Sequence, residues 1–168
     1  MDKLNEAEVI VRCALPSDLE DIFLVESQCF PPAEAASRSA LQKRLEVYPS
    51  HCLLLFSGKK LAAFVNGAVT CGRDLQDFMF ADASVHDEGG DWQMVFGLCT
   101  APAFRKRGFA AYLLRLFIAH AKEQGRRGVV LTCKPPLVSY YSRFGFEDEG
   151  VCSSVHGGEV WHQMRLTF

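Results

Sequence analysis

Residues 98–111 read Leu-Cys-Thr-Ala-Pro-Ala-Phe-Arg-Lys-Arg-Gly-Phe-Ala-Ala and join an apolar run to a regular amphipathic segment. Residues 92–100 are almost continuously apolar, which is typical of a strand covered on both faces of its sheet. From Gly108 to Gly125, apolar residues recur every three to four positions, which predicts a helix with one buried face. The decisive stretch is therefore a buried strand, a short basic loop and a helix N-terminus in direct succession.

This strand-to-helix junction predicts a phosphate-binding site. The first main-chain N–H groups of a helix are unpaired and lie at the positive end of its dipole. Gly108 allows a ligand to approach the backbone closely, and Arg105, Lys106 and Arg107 add positive charge. Neither Gly-Lys-Ser/Thr nor G-x-G-x-x-G occurs here, so the nucleotide-binding P-loop and the dinucleotide fingerprint are excluded.

Outward from this junction, helices and strands alternate along the chain. Helices are predicted from about Pro16 to before Pro31, over 39–48, over 108–125 and near 137–144. Strands are predicted over 8–14, 52–56, 61–70, 92–100, 129–133, 146–152 and 159–167. Residues 72–91 are polar and predict a long loop with one helical turn. This order predicts a single α/β (α+β) domain over residues 1–168, built in three layers.

Composition excludes several classes of protein. The chain of 168 residues is 49% hydrophobic with a net charge of -2, so we expect neither disorder nor nucleic-acid binding. No apolar run approaches the roughly 20 residues that cross a bilayer, and we expect no membrane association. Seven dispersed cysteines without C-x-x-C predict neither a zinc site nor a disulfide framework. We expect no metal, and a reducing, cytoplasmic compartment.

Three segments give the chain a resemblance to a known family. Residues 105–110, Arg-Lys-Arg-Gly-Phe-Ala, match the Q/R-x-x-G-x-G/A signature of the GNAT acetyltransferases. Residues 139–146, Ser-Tyr-Tyr-Ser-Arg-Phe-Gly-Phe, resemble the later Y-x-x-x-G-F element of that family. Residues 131–138, Leu-Thr-Cys-Lys-Pro-Pro-Leu-Val, are most similar to the arylalkylamine (serotonin) N-acetyltransferase-like branch and its bacterial homologues.

The resemblance implies acetyl-CoA as the co-substrate and a mixed central sheet of about six or seven strands with about four flanking helices. Two neighbouring strands would splay apart to admit acetyl-CoA. One strand edge, Leu98, Cys99 and Thr100, would pair with the pantetheine amides, and the other strand would contribute Thr132, Cys133 and Lys134. The pyrophosphate would lie on Arg105, Lys106, Arg107, Gly108, Phe109, Ala110 and Ala111.

Tyr141 is the candidate general acid. In the register of Y-x-x-x-G-F it matches the tyrosine near the thioester sulfur. A phenol with a pKa of about 10 is well matched to a leaving thiolate whose conjugate thiol has a pKa of about 8.5. Tyr140 is adjacent, and only the register of the motif favours Tyr141.

The general base is open at the level of sequence. The related serotonin enzymes carry two histidines on the strand before the phosphate loop, and Met94 and Phe96 stand at those positions here. Glu26, at the end of the first helix, and His156, in the turn between the last strands, are weak alternatives. The polar loop offers four further candidates, His86, Asp87, Glu88 and Asp91.

An apolar, aromatic acceptor pocket is predicted from Phe30, Pro31, Met94, Phe96 and Trp161. Such a lining suits an arylalkylamine or another small apolar primary amine, acetylated by direct transfer in a ternary complex. Two alternatives stay open, a protein or peptide N-acetyltransferase and a non-catalytic CoA-binding module. We leave open whether the protein is a monomer or a homodimer.

Overall fold

Four helices and nine strands make up residues 9–168, the part of the chain that the computed structural model describes. The helices are α1 (Leu19–Cys29), α2 (Arg38–Val47), α3 (Phe109–Glu123) and α4 (Val138–Ser142). The strands are β1 (Val9–Cys13), β2 (Cys52–Ser57), β3 (Lys60–Asn66), β4 (Val69–Thr70), β5 (Trp92–Val95), β6 (Gly97–Thr100), β7 (Gly128–Cys133), β8 (Glu147–Val151) and β9 (His162–Thr167).

Side-chain alternation along the β2–β3 hairpin builds the three layers. Leu53 and Leu55 point to one face and pack in the cluster that contains the apolar stripe of α3. Leu54 and Phe64 point to the opposite face and pack against α1 and α2. Because successive strand side chains point to opposite faces, the continuous apolar run of β2 is buried between helices on both sides.

The strands form two sheets that diverge beside β6. One sheet has the order β1-β2-β3-β6 and the other β4-β5-β7-β9-β8. The pairing of β5 with β7 is parallel, whereas the other pairs are antiparallel. β6 pairs only with β3 among the described strands, and β7 pairs with β5 and β9, so no ladder joins β6 to β7.

The chain changes sheets at Phe96. Residues 92–100 were predicted as one strand, but β5 ends at Val95 and β6 begins at Gly97. The N–H of Phe96 donates a hydrogen bond to the carbonyl oxygen of Asn66, and Asn66 is also the residue of β3 that lies opposite Gly97. Two residues of one strand thus face a single residue of the other, which is the arrangement of a β-bulge. This bulge directs β5 into one sheet and β6 into the other.

A glycine accounts for the matching break in the predicted strand 61–70. An added Cβ at Gly67 would lie 1.7 Å from the carbonyl oxygen of Met94, so only glycine fits between β3 and β4. The α/β fold class with its four helices is confirmed. The count of nine strands, rather than six or seven, follows from dividing two predicted strands into two each.

Two smaller differences concern the loop and the N-terminus. The 72–91 loop contains two short 3-10 turns, Asp77–Phe80 and Ala83–Val85, rather than one helical turn. Residues 1–8, which include the first position of the predicted strand 8–14, lie outside the described residues. Within residues 9–168, the helices are too short or too polar to cross a bilayer.

Candidate active site

A cavity of about 420 Å³ lies where β6 and β7 diverge. This volume falls within the range of roughly 300–1,000 Å³ common for small-molecule sites. The cavity brings together most of the side chains predicted for catalysis and acceptor binding, namely Glu26, Phe30, Pro31, Phe96, Tyr141, His156 and Trp161. Leu98, Thr132, Cys133 and Lys134 also line it, so the predicted acyl-donor strands border the predicted acceptor pocket.

The prediction for Met94 needs a correction. Its side chain is fully buried in a separate cluster with Leu75, Met79 and Trp92, and it does not line the cavity. The prediction assumed unbroken alternation from Met94 to Phe96. Because the bulge at Phe96 interrupts that alternation, Val95 and Phe96 face the cavity instead.

The loop before α3 has the geometry of an anion site. Lys106 and Gly108 both adopt left-handed backbone conformations, with φ of 64° and 78°. Among the described residues, the six main-chain N–H groups from Lys106 to Ala111 have no hydrogen-bond acceptor. Arg105, Lys106 and Arg107 are exposed around them. Unpaired amides at a helix N-terminus beside cations favour a phosphate-bearing ligand.

The chain supports this loop from behind. Arg105 donates from Nε to the carbonyl oxygen of Thr100 at 3.2 Å, which anchors the loop to the end of β6. The Phe109 side chain is buried in the core under α3, so only its main chain is available to a ligand. An added Cβ at Gly108 would meet no protein atom within 4 Å, so the space before this residue is open.

The free edge of β6 runs from the cavity toward this loop. The N–H of Ala101 donates to the carbonyl oxygen of Ala62 on the β3 side, and main-chain polar groups alternate along a strand. Leu98 and Thr100 therefore direct their polar main-chain groups to the open side. Cys99 faces β3 through its main chain, and its buried thiol lies against α1.

Tyr141 presents its hydroxyl to the cavity. The residue is 9% exposed and lines the cavity wall. Two side-chain polar atoms of the described residues, Arg44 Nε and Tyr48 OH, are both inaccessible to solvent and without a hydrogen-bond partner. The Tyr141 hydroxyl also has no partner among the described residues, but it is accessible to solvent. Burial raises the pKa of the Tyr141 phenol above its ordinary value, so the group carries its proton at neutral pH.

Glu26 lines the cavity beside the break between β5 and β6. Its Oε1 accepts a hydrogen bond from the N–H of Ala36 at 2.9 Å, and its Oε2 accepts one from the Cys99 thiol at 3.8 Å. Oε2 is also 3.7 Å from the Cβ position of Gly97, the first residue of β6. Burial raises the pKa of this carboxyl, and the Ala36 amide opposes that shift.

His156 is fixed in one orientation at the cavity. Its Nε2 lies 2.9 Å from the carbonyl oxygen of Glu34, which can only accept, so this nitrogen carries a proton. The ring stacks on Phe80 at 4.8 Å, and the Trp161 indole donates to the main-chain oxygen of His156. Nδ1 has no partner among the described residues and keeps a lone pair in the neutral ring.

The four candidates on the polar loop do not line the cavity. Glu88 accepts hydrogen bonds from His51, His86 and Arg126 and ties the loop to the sheet. Asp87 caps the N–H of Gly89, and Asp91 pairs with Arg127. These contacts make the loop residues structural.

The His51, His86 and Glu88 side chains lie close enough together to resemble a metal site. However, the N–H of Val69 donates to Nδ1 of His86 at 3.1 Å. A neutral His86 then carries its proton on Nε2, which donates to Glu88 and leaves no lone pair there for a metal.

Sequence reasoning missed three ionisable side chains that line the cavity, those of Cys29, Glu34 and Arg44. Hydrogen bonding with Cys99 and with Arg105 lowers the pKa of Cys29 to about 7. The Glu34 carboxylate pairs with Lys134 at 2.6 Å. Arg44 is buried, with Nη groups that donate to Asn66 and Phe80. None follows a motif; Glu34 lies in an irregular segment whose path only the folded structure gives.

Comparison with known proteins agrees with this geometry. The sequence model described as Acetyltransferase (GNAT) family matches residues 19–146, and the chain belongs to this family of acyltransferases. Members of this family use acetyl-CoA.

Two similar proteins are serotonin N-acetyltransferases. The one from Mesocricetus auratus is 26% identical over 160 residues, which cover 93% of this chain and 76% of that protein. The one from Macaca mulatta is 28% identical over 150 residues, which cover 87% and 72% of the two chains. A similar solved structure is the loading GNATL domain of CurA from Lyngbya majuscula, with a TM-score of 0.84 at 13% identity over 95% of this chain and 97% of that one. That likeness concerns the fold alone.

Proposed function

We propose that the protein transfers the acetyl group of acetyl-CoA to a primary amine, an arylalkylamine or another small apolar amine. The observation that carries this proposal is one cavity that combines a buried phenol, two candidate bases and an aromatic lining beside a phosphate-binding loop. The similarity to serotonin N-acetyltransferases supports the same class of acceptor.

The chain offers acetyl-CoA a continuous binding path. The unpaired amides of residues 106–111 would receive the pyrophosphate, and the three basic side chains would surround it. The open edge of β6, through Leu98 and Thr100, would hydrogen-bond the pantetheine amides as an added strand does. Thr132 and Cys133 would flank the thioester from the β7 side. Lys134, in contrast, points to Glu34.

Direct transfer requires the acceptor nitrogen to lose two protons and the departing sulfur to gain one. A base takes the first proton from the ammonium, and the amine nitrogen then forms a bond to the thioester carbonyl carbon. As the C–S bond breaks, the electron pair goes to sulfur and the Tyr141 hydroxyl gives its proton to the thiolate, while the second proton of the acceptor nitrogen passes to the Tyr141 phenolate and restores the phenol. Because burial raises the pKa of Tyr141, the phenol is protonated and ready to donate at neutral pH.

His156 is the stronger of the two base candidates. Its Nε2 proton is held by the Glu34 carbonyl, so Nδ1 is available to accept. An imidazole is the side chain that most often accepts a proton in general acid–base catalysis. Glu26 is already hydrogen-bonded by Ala36, and burial disfavours its charged form. We expect His156→Ala to lower kcat/KM more than Glu26→Gln does.

The compartment and acceptor class belong to the same proposal. All seven cysteines are free in the described chain, which supports a reducing, cytoplasmic setting. A small-molecule acceptor suits the half-enclosed, aromatic cavity better than a folded protein surface.

The test is an acceptor panel with purified protein and acetyl-CoA, with thiol release as the readout. Tryptamine and phenethylamine represent the expected class, and a short peptide with a free N-terminus represents the alternative. Turnover of the arylalkylamines over the peptide supports the proposal, whereas preference for the peptide contradicts it. Tight acetyl-CoA binding by calorimetry without transfer to any acceptor would identify a non-catalytic CoA-binding module instead.

A further inference from the structure

Of the two carboxylates that line the cavity, Glu26 and Glu34, only Glu34 is held in an ion pair among the described residues. Its side chain is only 6% exposed, it lines the acceptor cavity, and its ion-pair partner is Lys134 at 2.6 Å. A buried carboxylate needs a compensating cation, and a flexible, one-third exposed lysine is a replaceable one.

The surroundings of the Lys134 ammonium describe a site for a primary alkylammonium ion. Nζ lies beside the Glu34 carboxylate and 5.9 Å from the centre of the Trp161 ring, so it combines an ion pair with a cation–π contact. A primary amine substrate carries the same head group on an alkyl chain. The Lys134 side chain thus occupies the cavity as a tethered analogue of the acceptor.

The turn between β8 and β9 holds the Glu34 side chain in place. An added Cβ at Gly157 would lie 2.6 Å from Cγ of Glu34 and 3.4 Å from the carbonyl oxygen of Ala33. Asp77 anchors this turn through the hydroxyl of Ser154 and the N–H of Val155. The fold therefore directs this carboxylate into the cavity rather than into solvent.

We propose that Glu34 is the specificity residue that binds the ammonium group of the acceptor, which displaces Lys134 from the ion pair. This inference rests on the proposed function, because it assumes a cationic amine in the cavity. Lys134 swings toward solvent when the acceptor enters. The bound ammonium then lies near His156, whose imidazole Nε2 donates to the Glu34 main chain and whose Nδ1 is free to accept its proton.

The experiment compares two acceptors of the same shape and different charge. Phenethylamine is a cation at neutral pH, whereas O-benzylhydroxylamine has an oxygen in place of one methylene and is uncharged. Glu34→Gln should raise KM for phenethylamine about 10- to 100-fold and change KM for O-benzylhydroxylamine less than threefold. An equal loss with both acceptors would mean that Glu34 only supports the fold, and would overturn the proposal.

Lys134→Met should change KM for phenethylamine in the direction opposite to Glu34→Gln. If Lys134 competes with the acceptor, removing its ammonium should lower KM for phenethylamine about three- to tenfold, with acetyl-CoA affinity measured separately by calorimetry. A purely structural ion pair would instead raise KM in both variants. The proposal is wrong if Lys134→Met and Glu34→Gln change KM in the same direction.

A pair of glycines provides a matched control for the position of Glu34. Gly157→Ala and Gly158→Ala each force alanine into a left-handed conformation, with φ of 63° and 73°, but only the first meets Glu34. Gly157→Ala alone should raise KM for phenethylamine. An equal effect of both variants would contradict the proposal.

Failure of the proposed function is distinguishable from failure of this inference. If the wild-type protein acetylates neither acceptor, the proposed function fails, and Glu34 is still tested by calorimetric titration of phenethylamine into the protein with CoA. Binding that Glu34→Gln weakens at least tenfold supports the ammonium site. Binding that is absent, or unchanged by the substitution, overturns it.

Discussion

Replacing Tyr141 by phenylalanine removes one oxygen atom from the cavity wall and keeps the buried ring. The hydroxyl has no hydrogen-bond partner among residues 9–168, so its loss leaves no donor or acceptor unsatisfied. We therefore expect the free energy of unfolding to change by less than about 0.5 kcal/mol. The effect should fall on the chemistry, because the departing thiolate loses its proton donor.

The expected fall in kcat is roughly 10²- to 10⁴-fold, the usual contribution of a positioned general acid. At 1.36 kcal/mol per factor of ten, this raises the activation free energy by about 2.7–5.4 kcal/mol. The assay measures initial rates of thiol release from acetyl-CoA with phenethylamine at saturation, while urea denaturation checks the fold. KM for acetyl-CoA should change little.

Tyr140 provides the matched control. It is the neighbouring tyrosine, packs edge-on against Tyr141 at 5.2 Å and does not line the cavity. Tyr140→Phe should keep kcat within about twofold. If Tyr141→Phe keeps kcat to the same extent, or if both substitutions lower it equally, the phenol of Tyr141 is not the general acid.

Three further predictions concern stability. Burial raises the pKa of the Glu26 carboxyl in the folded state, so this group favours folding at low pH, and its contribution is lost as the pH rises through the folded pKa. Glu26→Gln should therefore reduce the fall in the free energy of unfolding between pH 4 and pH 8, measured by urea titration. An unchanged dependence of that free energy on pH would contradict this prediction. The Asp18 carboxylate accepts hydrogen bonds from the Arg12 guanidinium and from the N–H of Leu15, and Arg12 lowers its pKa. Its contribution to stability is therefore present above the unfolded pKa and is lost in acid. Asp18→Asn should lower the free energy of unfolding by about 1–3 kcal/mol at neutral pH and by little at pH 2–3, whereas a decrease independent of pH would contradict this prediction. Gly67→Ala should lower the free energy of unfolding by more than about 3 kcal/mol, because the added Cβ overlaps the Met94 carbonyl group. Gly72 has open space around it, so Gly72→Ala should lower that free energy by less than about 1 kcal/mol. Equal thermal midpoints for the two variants would contradict this explanation of the sheet break.

The sequence was most informative where local pattern and tertiary position coincide. The strand, basic loop and helix around Gly108 follow from hydrophobic periodicity and from one glycine, and α3 begins at the next residue. Local signals were insufficient at Phe96. An apolar run does not reveal whether it is one buried strand or two, and the break depends on the distant contact between Gly67 and Met94.

The acceptor side of the site was harder to predict for the same reason. Met94 and Phe96 alternate in sequence, but Met94 is fully buried inside a hydrophobic cluster, whereas Phe96 packs against the outside of that cluster and lines the cavity. The proposed role of Glu34 depends on its contacts with Lys134 and Gly157, which are at least 100 positions away in the sequence. Hydrophobic periodicity predicts local secondary structure, but it does not predict which residues of two irregular segments contact each other.

The most direct test of the account is the affinity for CoA after substitution at Gly108. Gly108 and Gly125 both have positive φ and both have open space where a Cβ would be added, but of the two only Gly108 lies among the unpaired amides of residues 106–111. Gly108→Leu and Gly125→Leu should destabilise the fold similarly, by about 1–2 kcal/mol each. In calorimetric titrations, Gly108→Leu should bind CoA about 10- to 100-fold more weakly than the wild type, and Gly125→Leu should bind it normally. Undiminished CoA affinity in a folded Gly108→Leu protein would contradict the phosphate-binding role of residues 105–111.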